Sequence, residues 1–268
     1  MRVWIDLRNI AEVIMFPEAP RVIYRQRPSE EVICQFRFPT ILRIDAQPPA
    51  DFQDKIRTDY PVFAEKPSTD IPSDLARLFE MQLGSGKKYE FASSDKLWTV
   101  HLEHDSLAIS TRAYERWEEF RQHFTAPYRA LCEIYRPTIF SRIGLRYKDA
   151  IRKDKLGLGD ASWSDLLKPP IAAEFTSPII STHIEQVGHR VLVRDEASGM
   201  RVLLQHGLGQ VAPNQDICYV IDSDFFVDTE TRVEHALGVL DAFNGEARRL
   251  FYWCITDRLH RSLDPQPA

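Results

Sequence analysis

Residues 30–136 and 137–268 run through the same succession of patterns: an apolar strand, a short helix, a meander of strands and a long amphipathic helix. A repeated order at this scale limits the chain to folds built from two similar halves, because each half must bury the same kind of face. Residues 1–29 stand outside the repeat. They carry Pro17, Pro20 and Pro28 among several arginines and read as a lead-in with one early strand.

In the first half, Val32, Cys34, Phe36 and Phe38 alternate with Ile33, Gln35 and Arg37, the period of a half-buried strand, which Pro39 ends. Phe52, Ile56 and Tyr60 recur every four residues, a short helix stopped by Pro61. A Pro-, Ser- and Gly-rich excursion over 65–88 encloses one helical patch, Leu75–Leu83. Strands at Tyr89–Ala92, Trp98–Glu103 and Leu107–Ser110 follow, joined by turn-forming residues. Trp117, Phe120, Phe124, Leu131 and Tyr135 then mark one face of a long helix, in which Pro127 should introduce a kink.

The second half opens with a strand over Ile139–Tyr147, where Ile143, Leu145 and Tyr147 alternate with Arg142, Gly144 and Arg146. A short helix over Trp163–Phe175 is interrupted by Pro169 and Pro170. Strands are expected at Ile179–Val187, Val191–Arg194, Arg201–Gln205 and Ile217–Ile221, the last apolar on both faces and therefore central. The closing helix is expected to begin near Thr231, with Glu234 at capping-box spacing, and to run to about Leu263.

Helices laid on one face of an antiparallel sheet, twice over, give an α+β architecture. The element order resembles the repeat of TATA-binding-protein-like and helix-grip folds, where long helices cover one side of a curved sheet and leave the other open. Several strings carry a second resemblance: Glu31-Val32-Ile33-Cys34-Gln35-Phe36-Arg37-Phe38, Arg142-Ile143-Gly144-Leu145-Arg146-Tyr147 and Ile255-Thr256-Asp257, with Asp59-Tyr60-Pro61 and Trp117-Glu118-Glu119-Phe120. They resemble a sporadically distributed bacterial family of about this length and of no established function. The resemblance spans nearly the whole chain and supplies no catalytic residues. Its sporadic distribution implies a mobile or defence-associated gene setting.

A net charge of −5 gives no overall attraction to phosphate backbones or anionic lipid, so nucleic-acid binding would require a local basic patch. Cys34, Cys132, Cys218 and Cys254 are far apart and each lies in an apolar run, which reads as buried reduced thiols. The first residues interrupt their apolar run with charge before a signal-peptide core forms, and no run reaches membrane-spanning length, so a cytoplasmic address and no membrane contact are expected.

The strongest candidate site is the polar face of the two opening strands. Gln35 and Arg37 point one way on the first; Arg142, Arg146 and Lys148 do so on the second, with Gly144 leaving room between them. Side by side, these strands would gather guanidinium groups that can hold phosphate or carboxylate. The competing reading pairs the cations with acids of neighbouring strands, Glu103 and Glu185 among them. A second coincidence is His101-Leu102-Glu103 and His183-Ile184-Glu185, each His and Glu sharing a strand face and together supplying four metal ligands: His101, Glu103, His183 and Glu185. Asp222, Asp224 and Asp228 read as a turn before the last helix. The consecutive Phe251, Tyr252 and Trp253 must point in different directions, a sign of a partner surface.

No catalytic set or cofactor fingerprint is recognisable. The expected function is therefore a non-enzymatic binding or regulatory module for a partner protein or small anionic ligand, acting through the open sheet face. A metal-dependent hydrolase or nuclease using the His and Glu pairs with Asp222 and Asp224 is the alternative. An RNA or single-strand DNA binder with Tyr147 and Trp98 among its arginines is the other.

Overall fold

The computed structural model describes residues 15–67, 87–211 and 216–268. The helical patch expected at Leu75–Leu83 and the first part of the lead-in lie outside them. The architecture is mixed α+β around a nine-stranded antiparallel sheet. At its centre β2 (Ser29–Arg37) pairs with β8 (Arg142–Ile151), with Cys34 opposite Leu145 and Phe36 opposite Ile143. Beyond β2 follow β6 (Ser106–Thr111), β5 (Trp98–Glu103), β4 (Lys87–Ala92) and β3 (Val62–Pro67); beyond β8 follow β11 (Asp216–Val227), β10 (Arg201–Val211) and β9 (Val187–Arg194).

Each central strand is followed in the chain by short helices, then a meander that works inward from its edge, then a long helix. In the first arm these are α1 (Leu42–Ala46), α2 (Ala50–Ile56), β3 to β6 and α3 (Trp117–Ile134). In the second they are α4 (Trp163–Leu166), α5 (Pro169–Ala172), β9 to β11 and α6 (Ala236–Cys254). Two short pairings complete the frame. β7 (Ile139–Phe140) meets β12 (Thr231–Arg232), and β1 (Val22–Tyr24) meets β13 (Pro265–Pro267), just after α7 (Asp257–Ser262).

Period-two alternation makes the sheet one-sided. Val32, Cys34 and Phe36 of β2 and Ile143, Leu145 and Tyr147 of β8 are buried, as are Tyr89 and Phe91 of β4 and Phe225 of β11. The helices bury their apolar stripes on this face: Phe52 of α2 against Phe91, Phe124 of α3 stacked 5.0 Å from Phe36, and Trp163 of α4 beside Tyr219. Tyr219 Oη also bonds His206 Nδ1 at 2.7 Å and donates to the carbonyl of Ile171, tying α5 to the sheet. Pro127 sits inside α3 without an N–H to offer the carbonyl of His123, and that carbonyl accepts a hydrogen bond from Tyr60 Oη at 3.0 Å instead.

Four sequence expectations need correction. Residues 178–183 form turns, so the strand expected at Ile179–Val187 begins only at Val187. The strand expected at Ile217–Ile221 extends to Val227, which carries Asp222, Ser223 and Asp224 inside the sheet rather than in a turn. The strand expected at Ile139–Tyr147 is interrupted at Ser141, whose N–H bonds the carbonyl of Arg37 at 2.8 Å, and β8 resumes to Ile151. The closing helix begins at Ala236, after β12 at Thr231–Arg232 and a 3₁₀ turn over Val233–His235 with no Thr231–Glu234 capping box, and it is two helices. Its apolar period runs on past Cys254, but Ile255 is drawn into a bridge with Leu167, and Thr256 N–H bonds the carbonyl of Leu166 at 2.9 Å. Thr256 then caps α7 through its hydroxyl.

All four cysteines are free thiols, three of them buried. Among the described residues no helix is long and apolar enough to cross a membrane. Phe36 is fully buried, with ring centroids of Phe140, Phe124 and Tyr128 at 4.7, 5.0 and 5.5 Å. Phe36→Ala should therefore cost about 3–5 kcal/mol, read as a lowered midpoint in urea at unchanged slope.

Candidate functional site

The face opposite the helices carries the charged residues of the strands. Gln35 lies opposite Gly144, and Arg37 lies opposite Arg142. Arg142 Nη2 donates to Asp224 at 2.7 Å, Nη1 reaches Gln35 Oε1 at 3.4 Å, and the guanidinium lies 4.8 Å from the Phe226 ring. Arg146 forms a bidentate pair with Asp222, at 2.7 and 2.5 Å. The room left by Gly144 is filled from within the protein: a Cβ there would run into the Arg142 guanidinium. Arg142 and Arg146 are thus ion-paired, and their partners are Asp222 and Asp224 of β11 rather than Glu103 or Glu185. Burial raises the Asp224 carboxyl above its usual range, and the two arginines pull it back.

Arg37 differs. Its Nε is buried with no hydrogen-bond partner, and the residue directly across the ladder is another arginine. The same like-charge arrangement recurs in the second arm, where Arg194 of β9 lies opposite Arg201 of β10. Arg201 pairs with Asp228 at 2.7 Å. Lys148 stands between Glu31 and Asp222 in register. Across the nine described strands this face gathers nine cations, Lys66, Lys88, Arg37, Arg142, Arg146, Lys148, Arg190, Arg194 and Arg201, against six carboxylates, Glu31, Glu90, Glu103, Asp216, Asp222 and Asp224. With Asp228 and Glu196, which pair with Arg201 and Arg194 from just beyond the strands, the excess of cations is one, on a chain that sums to −5.

The four candidate metal ligands do not come together. His101 and Glu103 lie on β5, whereas His183 and Glu185 are exposed in the turn region before β9, six strands away. At one strand spacing each, that is roughly 29 Å along the sheet. His101 Nδ1 is instead 3.4 Å from Glu90, and burial pushes its pKa down to about 4, so it stays neutral near pH 7. No cluster of three metal-ligating side chains occurs among the described residues. The bases of an RNA or DNA strand would find little to stack on. Trp98 lies on the helix face, 3.8 Å from the His123 ring, and Tyr147 points the same way, which leaves Phe226 as the one Phe, Tyr or Trp of the described sheet facing outward. The trio at the end of α6 is packed internally: Phe251 on Tyr24, Trp253 on Phe16, and Tyr252 under Lys168.

A second site lies on the helix face, at the seam of the two arms. A cavity of about 300 Å³ is bordered by β8 and the start of β2 below, the entry of α3 and the middle of α6 at the sides, and the segment Pro20–Pro28 above. The roof is pinned to the far end of the chain by β1–β13 pairing and by Arg25 and Gln26 N–H bonds to the carbonyls of Asp264 and Leu263. On the floor Ser29 Oγ donates to Asp149 Oδ1 at 2.6 Å, and Tyr147 Oη donates to Asn244 Oδ1 at 3.0 Å beside Tyr114 Oη at 3.3 Å. Asp149 has no ion-pair partner among the described residues. Burial, with Asp222 and Glu30 adding to it, raises its pKa to about 7 despite the Ser29 bond.

The sequence gives Asp149 no signal of its own. It continues the core parity of Ile143, Leu145 and Tyr147, so a carboxylate at that position was the one available clue. Compared with known families and curated proteins, the chain matches no family model and no curated protein.

Removing one partner of the Arg146–Asp222 pair leaves a largely buried charge. Arg146→Ala should destabilise by about 3 kcal/mol, and Arg146→Met combined with Asp222→Leu by much less; urea melts of the three proteins check this. Asp149 makes a pH-dependent prediction. Its folded pKa lies above the unfolded value near 3.8, so the unfolded state releases its proton first and stability falls as pH rises from about 4 to about 7. Asp149→Asn removes that penalty. The variant should gain about 2–4 kcal/mol over the parent at pH 8 and little or nothing at pH 4, by urea melts at both.

Proposed function

We propose that the protein is a binding module that takes an anion-bearing partner on the open sheet face, where Arg37 and Arg142 meet across the central ladder and Arg194 and Arg201 meet across β9 and β10. The observation that carries the reading is the Arg37–Arg142 pair. Like charges directly opposite on a sheet are destabilising, and a buried guanidinium Nε without an acceptor costs more still. An incoming phosphate or carboxylate would relieve both, because a guanidinium presents several donors in one plane. Arg142 is already anchored by Asp224 and Gln35, so it is held in place for a ligand instead of swinging freely. From Arg142 to Arg194 is three strand spacings, or about 14 Å, a span suited to a polyanion or an acidic protein surface more than to a single small ion.

The arrangement of the arms supports a duplication. A TATA-binding-protein-like pair of repeats would place β2 and β8 at the pseudo-twofold and leave this face uncovered, as the shared order of elements suggests.

Inorganic polyphosphate and polyglutamate, titrated at low ionic strength, test the reading. One or both should bind, with affinity falling as salt rises. Arg37→Gln with Arg201→Gln should weaken binding more than tenfold, while Lys155→Gln, on an exposed turn away from the sheet, should not change it. Equal binding by both variants, or no binding by either polymer, overturns it.

A further inference from the structure

We propose that the cavity between the two long helices is a binding site for a small organic cation, an amine or amidine whose N–H groups meet Asp149 and whose body lies against the surrounding aromatic rings. This site is separate from the open sheet face and does not depend on the reading given for it.

The cavity comes first. At about 300 Å³ the cavity sits at the lower end of the range for small-molecule sites, and it lies at the junction of the two arms, bounded by elements from both. Its walls are aromatic: Tyr24, Tyr114, Trp117, Tyr147, Phe251 and Tyr252 all line it. Ring faces attract ammonium and amidinium groups.

The floor decides the sign of the ligand. Asp149 is an acceptor with a single hydroxyl donor on it, from Ser29. Of the four arginines that line the cavity, Arg21 pairs with Glu118, Arg27 with Glu115 at 2.5 Å, Arg248 bonds the carbonyl of Ala19 at 2.5 Å, and Arg116 is exposed at the entry of α3. A carboxylate ligand would meet Asp149 unscreened. A neutral apolar ligand would leave Asp149 desolvated with only the Ser29 hydroxyl on it. A cation with N–H donors supplies the missing charge and hydrogen bonds together. Nor is the floor otherwise short of partners, since Tyr147 and Asn244 satisfy one another.

The roof Pro20–Pro28 is held to the end of the chain by β1–β13 pairing and the Arg25 and Gln26 N–H bonds, and to the entry of α3 by the exposed ion pairs of Arg21 and Arg27.

The test uses the full chain with benzamidine and phenethylamine as cationic probes, benzoate as the anionic one and toluene as the neutral one, followed by calorimetric titration and thermal melts. Both cations should bind at one site per chain and raise the melting temperature, and benzoate and toluene should do neither. Asp149→Asn should lower cation affinity at least tenfold at pH 8. Ala247→Phe, which projects a ring from α6 into the cavity, should abolish it. If Ala247→Phe does not fold, Asp149→Asn decides alone. No cation binding at 10 mM probe, roughly the weakest affinity such a site would show, overturns the proposal. So does benzoate binding as tightly as benzamidine, or affinity unchanged in Asp149→Asn.

Discussion

The antiparallel pairing of β2 with β8 is the contact on which the rest of the molecule depends. It joins two arms into one nine-stranded sheet, and its register places Phe36 opposite Ile143 and Cys34 opposite Leu145 on a single apolar face. Because side chains alternate along a strand, a slip of one residue would send Phe36, Leu145 and Tyr147 into solvent and turn Arg37 and Arg146 into the core. The helices supply the penalty for such a slip. Phe124 and Phe140 close on Phe36 within 5.0 Å, and these contacts exist in one register only.

One-sided burial has a consequence for each face. On the helix side, the entry of α3 and the middle of α6 leave a cavity over the central strands, and the segment Pro20–Pro28 lies across it. A carboxylate, Asp149, is held there at the expense of its own ionisation. On the opposite side no described helix covers the sheet, so charged side chains arrange themselves in ladders. Arg146–Asp222 and Arg142–Asp224 are complete, and Arg201 and Arg194 reach Asp228 and Glu196 just beyond the strands, whereas Arg37 Nε has no acceptor. Both unfinished features, a buried acid with no ion-pair partner and the unbonded Arg37 Nε facing another arginine, store free energy that a ligand of the complementary charge would release. Stored cost of this kind concentrates where a protein binds something.

Much of this was legible residue by residue. The alternation of Val32, Cys34 and Phe36, and of Ile143, Leu145 and Tyr147, identified both central strands and which side chains face inward. Trp117, Phe120, Phe124 and Leu131 located the long helix α3, and the shared polar parity of Gln35, Arg37, Arg142 and Arg146 put them on one surface. The acids that pair with those arginines were not legible. Asp222 and Asp224 looked like a turn because Asp and Ser favour turns, and only pairing with β8 and β10 holds them extended. The helix break at Ile255 was hidden for a similar reason, since its cause is a bridge to Leu167, eighty-eight residues earlier.

What the sequence determined by itself was local: most of the strands and helices, and which face of each is apolar. These follow from the period of the side chains and need no partner. What tertiary structure alone decided was proximity. The distance from His101 to His183, the union of Arg146 with Asp222, and the enclosure of Asp149 beneath a segment more than a hundred residues upstream all depend on strand order and on the docking of chain ends. Periodicity says which way a side chain points from its own backbone. Only the packing of distant segments says what it meets there.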